Sequence, residues 1–148
     1  MRLLGLDVGD RRIGIALSDE TRTLATGLPT LERIGPRKDL KAIAALVREH
    51  QVSDVVVGLP RTLEGALGPQ AQKVLLFMEE LRPVVRVPVV SWDERFTSSM
   101  ATQALIEGGV SRQGRKGGVV DKVAATLILQ SYLDYLKVAN PDAKIPTG

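Results

Sequence analysis

Apolar and polar residues change their rhythm several times along this chain, and each change marks an element. Arg2–Val8 is short and almost wholly apolar, and Gly9-Asp10-Arg11-Arg12 follows it, which predicts a buried strand ending in a turn. Residues 13–18 alternate Ile13, Ile15 and Leu17 with small residues, the period of a second strand; the short connection makes the two a hairpin. A third short strand is expected over residues 30–33, crowded by Pro29 and Gly35. From Pro36 the period turns helical: Leu40, Ile43, Ala44 and Val47 share one face of a helix reaching about His50. Residues 54–58 then carry three consecutive valines without polar alternation, as a strand covered on both faces does.

After a loop over residues 59–68, a second helix is predicted from about Pro69, a residue suited to a first turn, to near Arg82-Pro83. Residues 87–92 form another apolar run and a fifth strand. Thr97, Ser98 and Ser99 offer N-caps for a short helix ending at Glu107, before Gly108-Gly109. Residues 111–118 form a Gly- and Arg-rich loop, and a last helix is expected from about Val119 to Val138. The order β-β-β-α-β-α-β-α-α predicts an α/β fold: a mixed five-stranded sheet, an antiparallel meander followed by parallel strands, with helices on both faces. This is the element order of the ribonuclease H-like fold. No repeat or linker divides the chain, so one domain is expected over residues 1–138, with a short polar tail over 139–148.

Composition narrows the chemistry. The 148 residues include no cysteine and one histidine, His50. Thiol nucleophiles, Cys-ligated zinc, iron–sulfur clusters and disulfide scaffolds are excluded, and a multi-His metal site is disfavoured. His50 is expected as an exposed helix-end residue. A formal charge of +3 is spread evenly, with 11 basic and 9 acidic residues in 1–74 against 9 and 8 in 75–148, so charge alone argues only weakly for a polyanionic partner. No stretch of roughly 20 apolar residues suggests a membrane span, and a cytoplasmic location is the default.

Carboxylates and hydroxyls are left as the main reactive groups. Asp7 lies inside an apolar strand, where an ionised carboxylate is costly unless paired or metal-bound. Its plainer use would be to close the turn at residues 9–12. Asp93-Glu94 closes the fifth strand, and alternation lets only one of the two face the same pocket as Asp7. Glu94, which shares a strand face with Val90 and Trp92 and has the longer reach, is favoured; a surface ion pair with Arg95 is the plainer use. Asp121 continues the stripe Ala125, Ile128 and Tyr132 on the last helix, although an acid in a first turn also complements the helix dipole. Three converging carboxylates repel unless a divalent cation offsets them, and hard oxygen ligands favour Mg²⁺ or Mn²⁺. Two such ions can activate water and stabilise a leaving oxygen in phosphodiester hydrolysis. Arg11, Arg12, Arg61, Arg95, Arg112, Arg115, Lys116 and Lys122 lie in expected loops or beside these acids, where a phosphate backbone would meet them. Trp92, Phe96 and Tyr132 are expected to pack in the core rather than stack on bases.

Four motifs in register then resemble one family. These are residues 6–16 (LDVGDRRIGIA), Val57-Gly58-Leu59-Pro60 with Gly65, Asp93-Glu94-Arg95, and Asp121-Lys122-Val123-Ala124-Ala125 before the run to Gln130-Ser131-Tyr132. They resemble the YqgF family, also called RuvX, of ribonuclease H-like nucleases related to Holliday-junction resolvases. The resemblance implies metal-dependent cleavage of nucleic acid, with Asp7, an acid of the Asp93-Glu94-Arg95 motif and Asp121 as catalytic and metal-ligating residues. It implies maturation of the 5′ end of pre-16S ribosomal RNA, or resolution of branched DNA. Relatives often carry an acid at the end of the fourth strand. Here Gly58-Leu59 stands in that place and Asp54 lies at the opposite end, so the shell is either short of a ligand or filled by Glu94, and the number of ions stays open. Two rivals are an actin-like ATP-binding module, which needs two such domains, and a non-catalytic nucleic-acid-binding module on the same fold. RNA is favoured over structured or branched DNA as partner. The pattern does not choose between endo- and exonuclease action, or between monomer and homodimer.

Overall fold

The computed structural model describes residues 1–60, 67–94 and 119–139. Five strands, β1 (Arg2–Val8), β2 (Arg12–Ser18), β3 (Ala25–Glu32), β4 (Val52–Leu59) and β5 (Val89–Asp93), form one sheet in the order β3-β2-β1-β4-β5. The first three pair antiparallel, and β1–β4 and β4–β5 pair parallel. The helices are α1 (Pro36–Glu49), α2 (Pro69–Val85) and α3 (Val119–Ala139). This is the mixed sheet with helices on both faces that the pattern predicts. The expected helix over residues 97–107 and the loop over 111–118 lie outside the described residues, as does residue 140 onwards.

Alternation along the strands builds two cores. Leu4, Leu6, Val8, Ile13, Ile15, Val55, Val57 and Leu59 pack against Ile43, Ala44 and Val47 of α1 and Val74, Phe77, Met78 and Leu81 of α2. On the other face Leu3, Ala16 and Val56 pack against Ala125, Ile128, Leu129 and Leu133 of α3. Burying one of these aliphatic side chains stabilises the fold by about 1.5–3 kcal/mol. Gln130 ties α3 to the sheet edge: its Oε1 accepts from Ala25 N at 2.9 Å, and its Nε2 donates to Thr23 O at 2.9 Å.

Three expectations need correction. The third strand begins at Ala25 and ends at Glu32, not at residues 30–33. It is an edge strand with a bulge: Ile15 pairs with Leu28 but Ile13 with Leu31, so Pro29 and Thr30 together stand opposite Gly14. An edge bulge tolerates the missing proline N–H. The second helix continues beyond Pro83 to Val85, where Val85 is buried and Arg86, in the left-handed region at φ 59°, donates its N–H to Arg82 O. His50 is not fully exposed: it forms the C-cap of α1, partly buried, with Nε2 3.3 Å from Glu49 Oε2.

Candidate active site

The face beneath α3 carries unusually small residues. Asp7 and Gly14 are directly opposite each other in the β1–β2 ladder, so their side-chain directions coincide. A Cβ on Gly14 would coincide with the main-chain carbonyl of Asp121. Glycine is therefore what lets the first turn of α3 rest on β2 and bring Asp121 beside Asp7. Gly58 on β4 does the same for β5: a Cβ there would meet Ile128, and would stand 3.0 Å and 3.2 Å from Glu94 Cγ and Cδ. Glu94, just past the end of β5, thus folds over Gly58 on the α3 side. Asp93 pairs with Leu59, one residue out of phase.

Electrostatics link the three acids. Burial pushes the Asp7 carboxyl up to about 7, and the negative charges of Glu94 and Asp121 push in the same direction. Glu94 is raised by burial and by Asp93, and Asp121 by burial, against the pull of Arg12 and with the push of Glu32. Asp7 does not close the turn: Gly9 N–H to Arg12 O at 2.9 Å does that. Among the described residues its carboxyl has no hydrogen-bond or ion-pair partner. A largely buried, unpartnered carboxyl facing two more acids is a donor set suited to a hard divalent cation. Among the described residues no three acids or imidazoles are gathered closely enough to hold an ion as they stand. The fit lies in the donor chemistry and the shared face, not in a closed shell.

The cations divide. Arg12 lies on the α3 face two residues from Gly14, with Nε 3.0 Å from Glu32 Oε2. The Lys122 stem crosses Gly27 and its residue is exposed. Arg11 is exposed at the turn, and its carbonyl accepts from Arg33 N. Arg61, Arg95, Arg112, Arg115 and Lys116 lie outside the described residues, as does Phe96. Trp92 and Tyr132 pack against the α3 core with ring centroids 5.3 Å apart, and Trp92 Nε1 donates to Ser131 Oγ. Sequence reasoning missed Glu32, because an acid ending an edge strand carries no motif. It also missed Arg33, whose Nη1 donates to Gly9 O at 2.8 Å and whose Nε pairs with buried Asp39 at 3.1 Å, anchoring the turn after Asp7.

Among solved structures the chain is similar to the RuvC of T. thermophilus in complex with Holliday junction substrate, with TM-score 0.60 and 15% identity over 94% of this chain and 96% of that one. It is also similar to the fowlpox virus resolvase in complex with Holliday junction DNA, with TM-score 0.54 and 14% identity over 92% and 99%. At such identity these show the shared fold alone, which is ribonuclease H-like. By sequence it is 52% identical over 137 residues to a protein of Caldanaerobacter subterraneus subsp. tengcongensis, covering 93% of this chain and 99% of that one. It is 50% identical over 137 residues to one of Desulforudis audaxviator, covering 93% and 96%. Both relatives bear the name "Putative pre-16S rRNA nuclease". The family model described as "RuvX: Holliday junction resolvase" matches residues 1–135, and the chain belongs to that family.

Proposed function

We propose that this chain is a divalent-metal-dependent nuclease that hydrolyses phosphodiester bonds in processing the 5′ end of pre-16S ribosomal RNA, in the cytoplasm. The observation that carries the reading is the unpartnered Asp7 carboxyl, pushed up to about 7 beneath α3 by burial, Glu94 and Asp121. The names of the relatives at about half identity support the substrate. Asp7, Glu94 and Asp121 would hold Mg²⁺ or Mn²⁺. When bound, such an ion supplies Lewis-acid activation of the attacking water and offsets charge on the phosphoryl and leaving oxygens. Gly14 and Gly58 keep the carboxylates on one face by letting α3 and Glu94 lie against the sheet. Arg11, Arg12 and Lys122 would meet the phosphate backbone, and Arg61, Arg95, Arg112, Arg115 and Lys116 belong to the same proposal from their sequence positions. Among the described residues no helix is long and apolar enough to cross a membrane.

The family description favours a second reading, resolution of branched DNA. A manganese-supplemented cleavage assay on matched single-stranded RNA, single-stranded DNA and four-way junctions separates the two. Cation-dependent cutting of RNA supports the first, and cutting of junctions alone supports the second. No cutting of any substrate overturns both, and leaves the non-catalytic binding module.

A further inference from the structure

We propose that Glu32 is a built-in competitor of the substrate for Arg12: it holds the guanidinium at the edge of the acidic face and yields it to a phosphodiester when nucleic acid arrives. The inference rests on the nuclease reading and adds a positioning residue to it. Arg12 and Glu32 are direct partners in the β2–β3 ladder, one step beyond the Asp7–Gly14 pair on the side of the sheet that α3 covers. The pair therefore flanks the carboxylates on their own face. The pair meets through Arg12 Nε and Glu32 Oε2 at 3.0 Å, and among the described residues the guanidinium has no ion-pair partner other than Glu32.

The asymmetry of the pair favours exchange. The Arg12 side chain is 33% exposed while that of Glu32 is 69% exposed. Glu32 is thus restored to water easily, and exposed pairs of this kind hold weakly. A phosphodiester offers two anionic oxygens to the planar fork, a match that can exceed a half-exposed pair to a carboxylate that water solvates well. Arg12 also lies close enough to Asp121 to pull its carboxyl down while Glu32 pushes it up, so all three groups share one field. Without Glu32, the guanidinium would be free to lean onto Asp121 and compete with the cation. Glu32 keeps it available and out of the metal ligands' way.

The test is binding of a fluorescein-labelled single-stranded RNA oligonucleotide in EDTA, read by anisotropy for the parent, Glu32→Gln, Arg12→Ala and the double variant. Glu32→Gln should tighten binding about two- to fivefold, the range set by releasing an exposed pair. Arg12→Ala should weaken binding and lower the salt slope by about one. In the Arg12→Ala background, Glu32→Gln should change nothing. Equal tightening in both backgrounds means a general loss of negative charge and overturns the proposal, as does no tightening in the parent. In the unmodified protein, the Arg12 Nε–H resonance should shift on adding RNA; an unmoved resonance overturns the proposal even where a variant fails to fold. A parent that binds no RNA overturns the RNA reading as well. A parent that binds, with Glu32→Gln neutral, overturns only the exchange.

Discussion

Toward α1 and α2 the first hairpin presents Leu4, Leu6, Val8, Ile13 and Ile15, whereas toward α3 it presents Leu3, Gly5, Asp7, Gly14, Ala16 and Ser18. The first set fills a core with large aliphatic side chains. The second gives up that volume, and the main chain of α3 comes close enough for Asp121 to approach Asp7. Stability and chemistry are thus assigned to opposite sides of the same strands. The α3 side tolerates a buried carboxyl because the other side supplies the apolar burial.

Adjacent residues make the sharpest break between the two faces. Leu6→Ala should cost about 2–5 kcal/mol in denaturant unfolding. Asp7→Asn, next in the chain, should keep the fold and lose cleavage by more than about 100-fold, beyond the roughly 10–100-fold that losing a mere outer-shell partner costs. Full activity in a folded Asp7→Asn protein would remove the proposed site. Next in size is a pH effect. The Asp7 carboxyl rises from 3.8 in the free residue to about 7 in the fold, so between these values the folded chain binds more protons than the unfolded one. The Asp7 contribution to metal-free stability is therefore complete below about pH 4 and is lost as pH rises through 7, by up to about 4 kcal/mol, lessened by whatever solvent reaches the carboxyl. Asp7→Asn should flatten that slope. Because proton and cation compete for the same oxygens, Mn²⁺ affinity measured by calorimetry should strengthen across the same interval.

Smaller substitutions sharpen the contrast within the α3 face. Gly14→Ala drives a methyl into the Asp121 carbonyl, which belongs to a helix and cannot swing aside. A loss of about 1–3 kcal/mol is expected, together with lost cleavage as Asp121 lifts away. Gly27→Ala meets the Lys122 side chain and Thr126 Oγ1, which can turn aside, instead of helix main chain, so it should cost less than Gly14→Ala. Equal melting temperatures for the two variants would mean that α3 does not depend on that close approach.

The sheet was largely legible because its central strands declare themselves. β1 and β4 are apolar runs, β2 alternates, and the parity of Val90 and Trp92 puts Glu94 on the face where it lies over Gly58. β3 was not legible from end to end. Leu28 and Leu31 both pack toward the aliphatic core, yet their spacing of three is foreign to a strand until the bulge is known. The end of α2 was hidden because burial of Val85 outweighs the break at Pro83. At the candidate site the acids stood out as charges in apolar surroundings. The glycines that bring them together did not, since a glycine's sequence position does not reveal which backbone will lie against it.

The bulge at Pro29 and Thr30 makes β3 behave like a reading frame. Its extra residue puts Leu31 opposite Ile13 and Glu32 opposite Arg12. Paired residue for residue without the bulge, the strand would exchange its sides from that point on. Leu31 would then stand opposite Arg12, and Thr30 would face the core in place of Leu31. Losing one of the two bulge residues would instead restore simple alternation and leave both pairings in place, so this is where β3 should best tolerate the loss of a single codon.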